Sequence, residues 1–232
     1  GKKDEVFSIC AITDSITKNV KIEPTLPLFY PRLIYLNLAD ATGKYYRYIP
    51  EKKGELHLHL SLPHVNSFQM SPKDESEKIN TGFWGLAIGL DYYHLEKQFI
   101  NFRFSGVMDF FIPVPAAVDI GGEHETLSSL YISLSNNHKL GRFSIGYGLS
   151  YARNNWNFSY EDWGNPPPPT RDPVTKNHYT FGLVFPTYFQ FRHWLNIGVV
   201  YRPTFYRPNM TDKFLYEHLI SIDFACKLKL KK

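Results

Sequence analysis

The sequence predicts an all-β chain folded as a closed, antiparallel, up-and-down transmembrane β-barrel of eight strands, with ten as the alternative. Three observations predict it. Apolar and polar residues alternate with period two over stretches longer than an ordinary strand. The face opposite each apolar stripe is small or charged rather than rich in Thr, Lys and Glu. The breaks between stretches alternate between short and long.

Composition narrows the field first. The 232 residues include 4 Trp, 16 Tyr and 18 Phe, with a net charge of only +4. Disordered chains carry few aromatics and a large net charge, so that class is excluded. The longest run free of polar residues is Phe110 to Val118, whereas a membrane helix needs about 20 apolar residues. The only basic block is Lys227, Lys229, Lys231 and Lys232, which reads as a solubilising end and gives no nucleic-acid footprint. Cys10 and Cys226 are too few for a disulfide scaffold, and whether they pair stays open. Gly1-Lys2-Lys3-Asp4 reads as a mature or engineered start, with a signal peptide already removed.

In chain order, residues 1–25 read as an N-terminal periplasmic tail. Residues 26–54 read as an extra hairpin (Arg32 to Leu38 and Lys44 to Ile49, turning through Ala39 to Gly43) or a further periplasmic segment. Residues 55–231 read as the barrel. Eight runs follow: Leu56 to Leu62, Trp84 to Tyr92, Phe99 to Phe110, Leu130 to Leu134, Arg142 to Tyr151, Tyr179 to Phe191, Leu195 to Tyr201 and Glu217 to Cys226. In the third, Ile100, Phe102, Phe104, Gly106, Met108 and Phe110 share one face. At about 3.3 Å per residue and a tilt near 45°, that face spans roughly 25 Å, the height of a lipid-facing band.

The opposite faces decide which side is inside. Gly85, Ala87, Gly89, Ser144, Gly146, Gly148, Ser150, Gly182 and Gly198 are small, and Asp91, Arg103, Asp109, Arg142, Arg202, Glu217 and Asp223 are charged. Glycine weakens a solvent-facing strand, whereas a narrow bore favours small side chains and lets charges pair. Those seven charges are the expected lumen network. Trp84, Tyr92, Tyr93, Tyr151, Trp156, Trp194 and Tyr201 lie near run ends and suit interfacial girdles.

Short breaks fall at His94 to Lys97, Asn136 to Gly141 and Arg192-His193. Long ones fall at Asn66 to Asn80, Pro113 to Glu123, Asn157 to Lys176 and Arg207 to Lys213. Tight turns therefore gather at one end and large loops at the other. The third long break carries Asn165 to Pro169, a surface loop or an exposed recognition loop.

On this pattern the region from Leu56 to Leu230 resembles the small outer-membrane β-barrel proteins of Gram-negative bacteria, and its aromatic-rich style is similar to Bacteroidota barrels. The resemblance implies residence in the bacterial outer membrane, with short turns on the periplasmic side. Such barrels often finish on a terminal aromatic, whereas Phe224 here is followed by Ala225-Cys226-Lys227-Leu228-Lys229-Leu230-Lys231-Lys232.

One strand invites a chemical reading. His57, His59 and Ser61 share a face at about 6.6 Å intervals. Two such histidines suit a metal, and His-x-Ser suits an activated nucleophile. The latter resembles lipid A deacylases, eight-stranded outer-membrane barrels with a His-x-Ser on a wall strand, but Leu62 stands where their Asn would follow. The simpler reading is a polar, lumen-facing strand.

The expected function is a non-enzymatic structural or accessory subunit of a membrane complex, or a small-solute pore. It needs no cofactor, and its partners would be outer-membrane lipid, lipopolysaccharide and other outer-membrane or periplasmic subunits. The alternatives are a lipid-modifying barrel enzyme and a soluble secreted β-barrel or sandwich binder.

Overall fold

The computed structural model describes residues 7–13, 16–22, 51–109, 122–162, 167–192 and 194–231. The chain divides into two units, 1–49 and 50–232. In the first, β1 (Phe7–Thr13) and β2 (Ile16–Ile22) pair antiparallel, Phe7 opposite Ile22. The region expected as a tail therefore contains a hairpin. Its β-branched residues, among them Ile9, Ile12, Thr17 and Val20, favour extended backbone. The hairpin expected between Arg32 and Ile49 lies outside the described residues.

In the second unit, β3 (Leu56–Met70), β4 (Lys78–Gly82), β5 (Trp84–Leu95), β6 (Gln98–Met108), β7 (Gly122–Leu140), β8 (Phe143–Glu161), β9 (Val174–Gln190), β10 (Leu195–Tyr206) and β11 (Phe214–Lys231) form one antiparallel sheet. Neighbours in sequence are neighbours in space, and β11 pairs back onto β3, which closes the ring. Strands β4 and β5 occupy the same side of β3 in tandem, against Asn66–Met70 and Leu56–Ser61 respectively. The wall thus has eight positions rather than ten. Turns after β5, β7 and β9 are short, and connections after β3, β6, β8 and β10 are long. Residues 51–54, expected to precede the barrel, belong to its short-turn end, where Gly54 N donates to Tyr93 O.

Strand β3 runs further than its alternation suggests, through the stretch read as a loop from Asn66. Pro63 pairs with Asp223 and Val65 with Ile222, so His64 is an extra residue in a bulge. The bulge flips the inward parity from 57, 59, 61 and 63 to 66, 68 and 70. Asn66 stabilises it by donating to the carbonyls of Pro63 (2.9 Å) and Trp84 (3.1 Å).

The bulky residues face outward. Phe102, Ile145 and Ile222 are 50%, 49% and 40% exposed, while Asp91, Ser105, Ser221 and Asp223 on the opposite faces are fully buried. This arrangement changes at a definite height. Ile132, Tyr151 and Phe181 form one registered outward row, and Leu130, Arg153 and Tyr179 form the next. Beyond them the outward row is Ser128, Asn155 and Asn177. At that height an apolar cluster joins the polar interior: Phe68, Met70, Leu127, Trp156 and Phe158 are buried together with Tyr131 and Val107. The protruding end packs like a barrel in water, and the section below it like a barrel in lipid. Trp156 and Tyr93, expected in the girdles, are inside this wall, whereas Trp84, Tyr92, Tyr151 and Trp194 face outward.

The inward glycines answer to neighbouring strands more than to the bore. A Cβ on Gly148 would strike Leu134 O and Ser135 Cα, and one on Gly182 would strike Pro203 O and Thr204 Cα.

Candidate functional site

The barrel's candidate site is its charged interior, built by the odd or even residues of each wall strand pointing inward. Its centre joins β3, β5, β6, β9 and β11. Arg103 donates to Tyr188 Oη (2.8 Å), to Ser61 Oγ and to Asp223, and Tyr188 also donates to Asp223. Beside it, Asp91 accepts from Asn101, faces His59 Nδ1 at 3.5 Å and pairs with Lys227 at 2.6 Å. The Lys227 ammonium also rests 4.1 Å from the Phe99 ring centre. Charges so far from water require partners of this kind.

A second group lies toward the long loops. Glu217 accepts from Asn154 Nδ2 and Ser71 N, both at 2.9 Å; His178 Nε2 approaches it to 2.9 Å and Arg207 to 3.4 Å. At the short-turn end Lys139 pairs with Glu51, and Glu55 pairs with Lys229 and His57.

Of the seven predicted lumen charges, Asp91, Arg103 and Asp223 come together at the centre, with Arg202 and Glu217 farther along the same bore. Two differ. Asp109 follows the last residue of β6 and accepts from Asn80 Nδ2 (2.6 Å) and Leu127 N (2.8 Å), so it ties loop-end strands and meets no cation among the described residues. Arg142 lies half-buried in the β7–β8 turn beside Gly141, whose φ of +64° suits a tight reversal, and not on a wall strand. Its even-number parity with Ser144 and Gly146 placed it inside only if the strand began one residue earlier.

His57, His59 and Ser61 do face inward, but they do not assemble a reactive group. His57 turns to Glu55 (3.1 Å), His59 to Asp91 and Arg103, and Ser61 Oγ is taken by Arg103. Ser61 is buried, away from the lipid side on which an acyl chain would lie. Among the described residues no three His, Cys, Asp or Glu side chains are placed to share a metal. Cys226 is a free thiol, and the side chain of Cys10 lies outside the described ones.

Sequence reasoning missed Lys227, Lys139, Arg207, Glu51 and Glu55. Lys227 was legible: it shares odd parity with Glu217, Asp223 and Ala225, and Leu228 and Leu230 continue the outward stripe.

A cap of aromatic and charged residues crosses the long-loop end. Arg171 lies 4.7 Å from the Trp156 ring centre and 4.2 Å from that of Phe158. It pairs with Glu75 (3.1 Å), which also holds Lys176 (2.7 Å), so the β3–β4 and β8–β9 connections are latched together. Glu125 accepts from Trp156 Nε1 (3.0 Å) and Lys78 (2.8 Å). The bond from Lys176, reinforced by Arg171, holds the Glu75 carboxyl below its ordinary value of 4.5.

No known protein family and no curated protein sequence matches this chain. Solved structures do. The structure is similar to Ail, the attachment invasion locus protein of Yersinia pestis, at 10% identity and a TM-score of 0.49, over 75% of this chain and 98% of that one. It is similar to Neisserial surface protein A at 9% identity and a TM-score of 0.43, over 75% and 97%. A further similarity is to the outer membrane protein OprG of Pseudomonas aeruginosa, at 10% identity and a TM-score of 0.36, over 78% and 99%.

Proposed function

We propose that this chain is a non-enzymatic integral outer-membrane β-barrel of a Gram-negative bacterium, of the aromatic-rich Bacteroidota style, serving as a membrane-anchored accessory platform. The observation that carries the reading is the change along the wall. Past the Leu130–Arg153–Tyr179 row, the outward hydrocarbon of β7, β8 and β9 gives way to polar residues, and an apolar cluster joins the inward ion pairs. A bilayer edge at that row accounts for both halves.

The bore argues for a platform over a solute pore. Arg103, Tyr188 and Asp223 bridge strands β6, β9 and β11 across it, and the Trp156–Arg171 cap lies above. Ser61, enclosed and engaged by Arg103, argues against the acyl-hydrolase alternative. Lipid and lipopolysaccharide would contact the apolar band, and protein subunits the protruding end or the short-turn side.

Density fractionation of the native membranes and planar-bilayer recording test this together. The expected result is sedimentation with the outer membrane and no stepwise conductance. Stable ion-conducting steps would overturn the platform reading in favour of the pore. A folded monomer in detergent-free buffer would overturn both.

A further inference from the structure

We propose that the bore holds one small monovalent anion, a halide by size, against Arg202. The argument begins from charge balance. The other buried Arg and Lys side chains described in the barrel each meet a carboxylate: Arg103 with Asp223, Lys227 with Asp91, Lys139 with Glu51 and Arg207 with Glu217. Arg202 is the exception. It is 3% exposed, and its partners are neutral: Nη1 donates to Tyr131 Oη and Nη2 to Ser221 Oγ, both at 2.5 Å. Its guanidinium carbon lies 3.9 Å from the Tyr131 ring centre, and among the described residues its Nε has no acceptor. A guanidinium has five N–H donors, so three lack an acceptor among the described residues. Asp223, already held by Arg103, attracts Arg202 and Arg103 repels it, so the guanidinium has no carboxylate of its own, a costly state for a buried charge.

The second observation is space. Arg202 lines a partly open cavity of about 20 Å³ with the polar residues Ser129, Tyr131, Ser150, Asn154 and Thr204, and with Met70, Ala152 and Leu219 on its apolar side. That volume suits a body of one-water size and excludes sulfate or phosphate. A water would satisfy donors and leave the charge; a halide does both. Glu217 also lines the cavity, but its carboxylate oxygens are engaged by His178, Asn154, Arg207 and Ser71 N, which offset its charge. Arg202 itself opposes a cation there. The site depends on the geometry of the bore and not on the accessory role proposed above.

Two measurements on the detergent-solubilised wild-type chain test the proposal. Crystals grown with bromide in place of chloride should show an anomalous peak against the Arg202 guanidinium. The thermal midpoint should rise with chloride or bromide above the rise given by gluconate at equal ionic strength, and this excess should vanish in Arg202→Met. Absence of the peak, leaving a water only, overturns the proposal. So does a peak without a halide-specific shift in solution, which would be binding at crystal concentration only. If Arg202→Met does not fold, the two wild-type results decide alone.

Discussion

Arg103→Met should be among the most damaging substitutions in the barrel. The guanidinium supplies one bond to Tyr188, one to Ser61 and the ion pair to Asp223, a carboxylate with no exposed surface. Removing it leaves Asp223 with Tyr188 as its remaining described hydrogen-bond partner. Breaking a buried pair on one side costs about 3–5 kcal/mol, whereas replacing both members by apolar groups is often near neutral. The single variant should therefore lose about 3–5 kcal/mol, and Arg103→Met with Asp223→Leu should lose at least about 2 kcal/mol less. Equilibrium urea unfolding in phospholipid vesicles, followed by tryptophan fluorescence, reads both. A single-variant loss below about 1 kcal/mol, or simple additivity in the double variant, would refute a buried network as the organising feature of the bore.

Two further outcomes follow from the cap and the wall. Because Glu75's carboxyl is held below its unfolded value of 4.5, the latch contributes fully above that value and is lost as pH falls through the lower, folded one. Protection factors for the amides of Thr170 to Lys176, Pro173 aside and corrected for the intrinsic pH dependence of exchange, should fall on acidification below the ordinary carboxylate range, and Glu75→Gln should show the lower protection already at neutral pH; pH-independent protection in the wild type would discard the latch. Gly182→Ala forces a methyl into the β10 backbone and should cost about 1–3 kcal/mol. Gly106→Ala, whose added methyl meets only the flexible tip of Leu130 at 3.0 Å, should cost less in the same unfolding assay, and equal losses would contradict the strand-contact reading.

The wall was legible because alternation is a local property. From Ile100 to Met108 each neighbour's parity determines the next, and nothing interrupts it. Where a single residue shifts the count, reading fails. The Pro63–Val65 bulge hides the second half of β3, and the β7–β8 turn strands Arg142 outside the wall. The charges were legible as a set but their partners were not, since Arg103 meets Asp223 from 120 positions away. Lys227 went unread because a lysine near a chain end looks like a solubilising residue until its strand is known to continue. Trp156 was assigned to a girdle because sequence alone does not show that β7, β8 and β9 outrun the apolar band, turning their far ends into an ordinary aqueous core.

The direct test is the environment of the outward stripe. Nitroxide labels placed singly at Phe102→Cys, Ile145→Cys and Ile222→Cys, in a background lacking Cys10 and Cys226, should in vesicles relax strongly with oxygen and weakly with a water-soluble nickel chelate. Labels in which the chelate outcompetes oxygen at all three positions would place those side chains in water and contradict a lipid-facing wall.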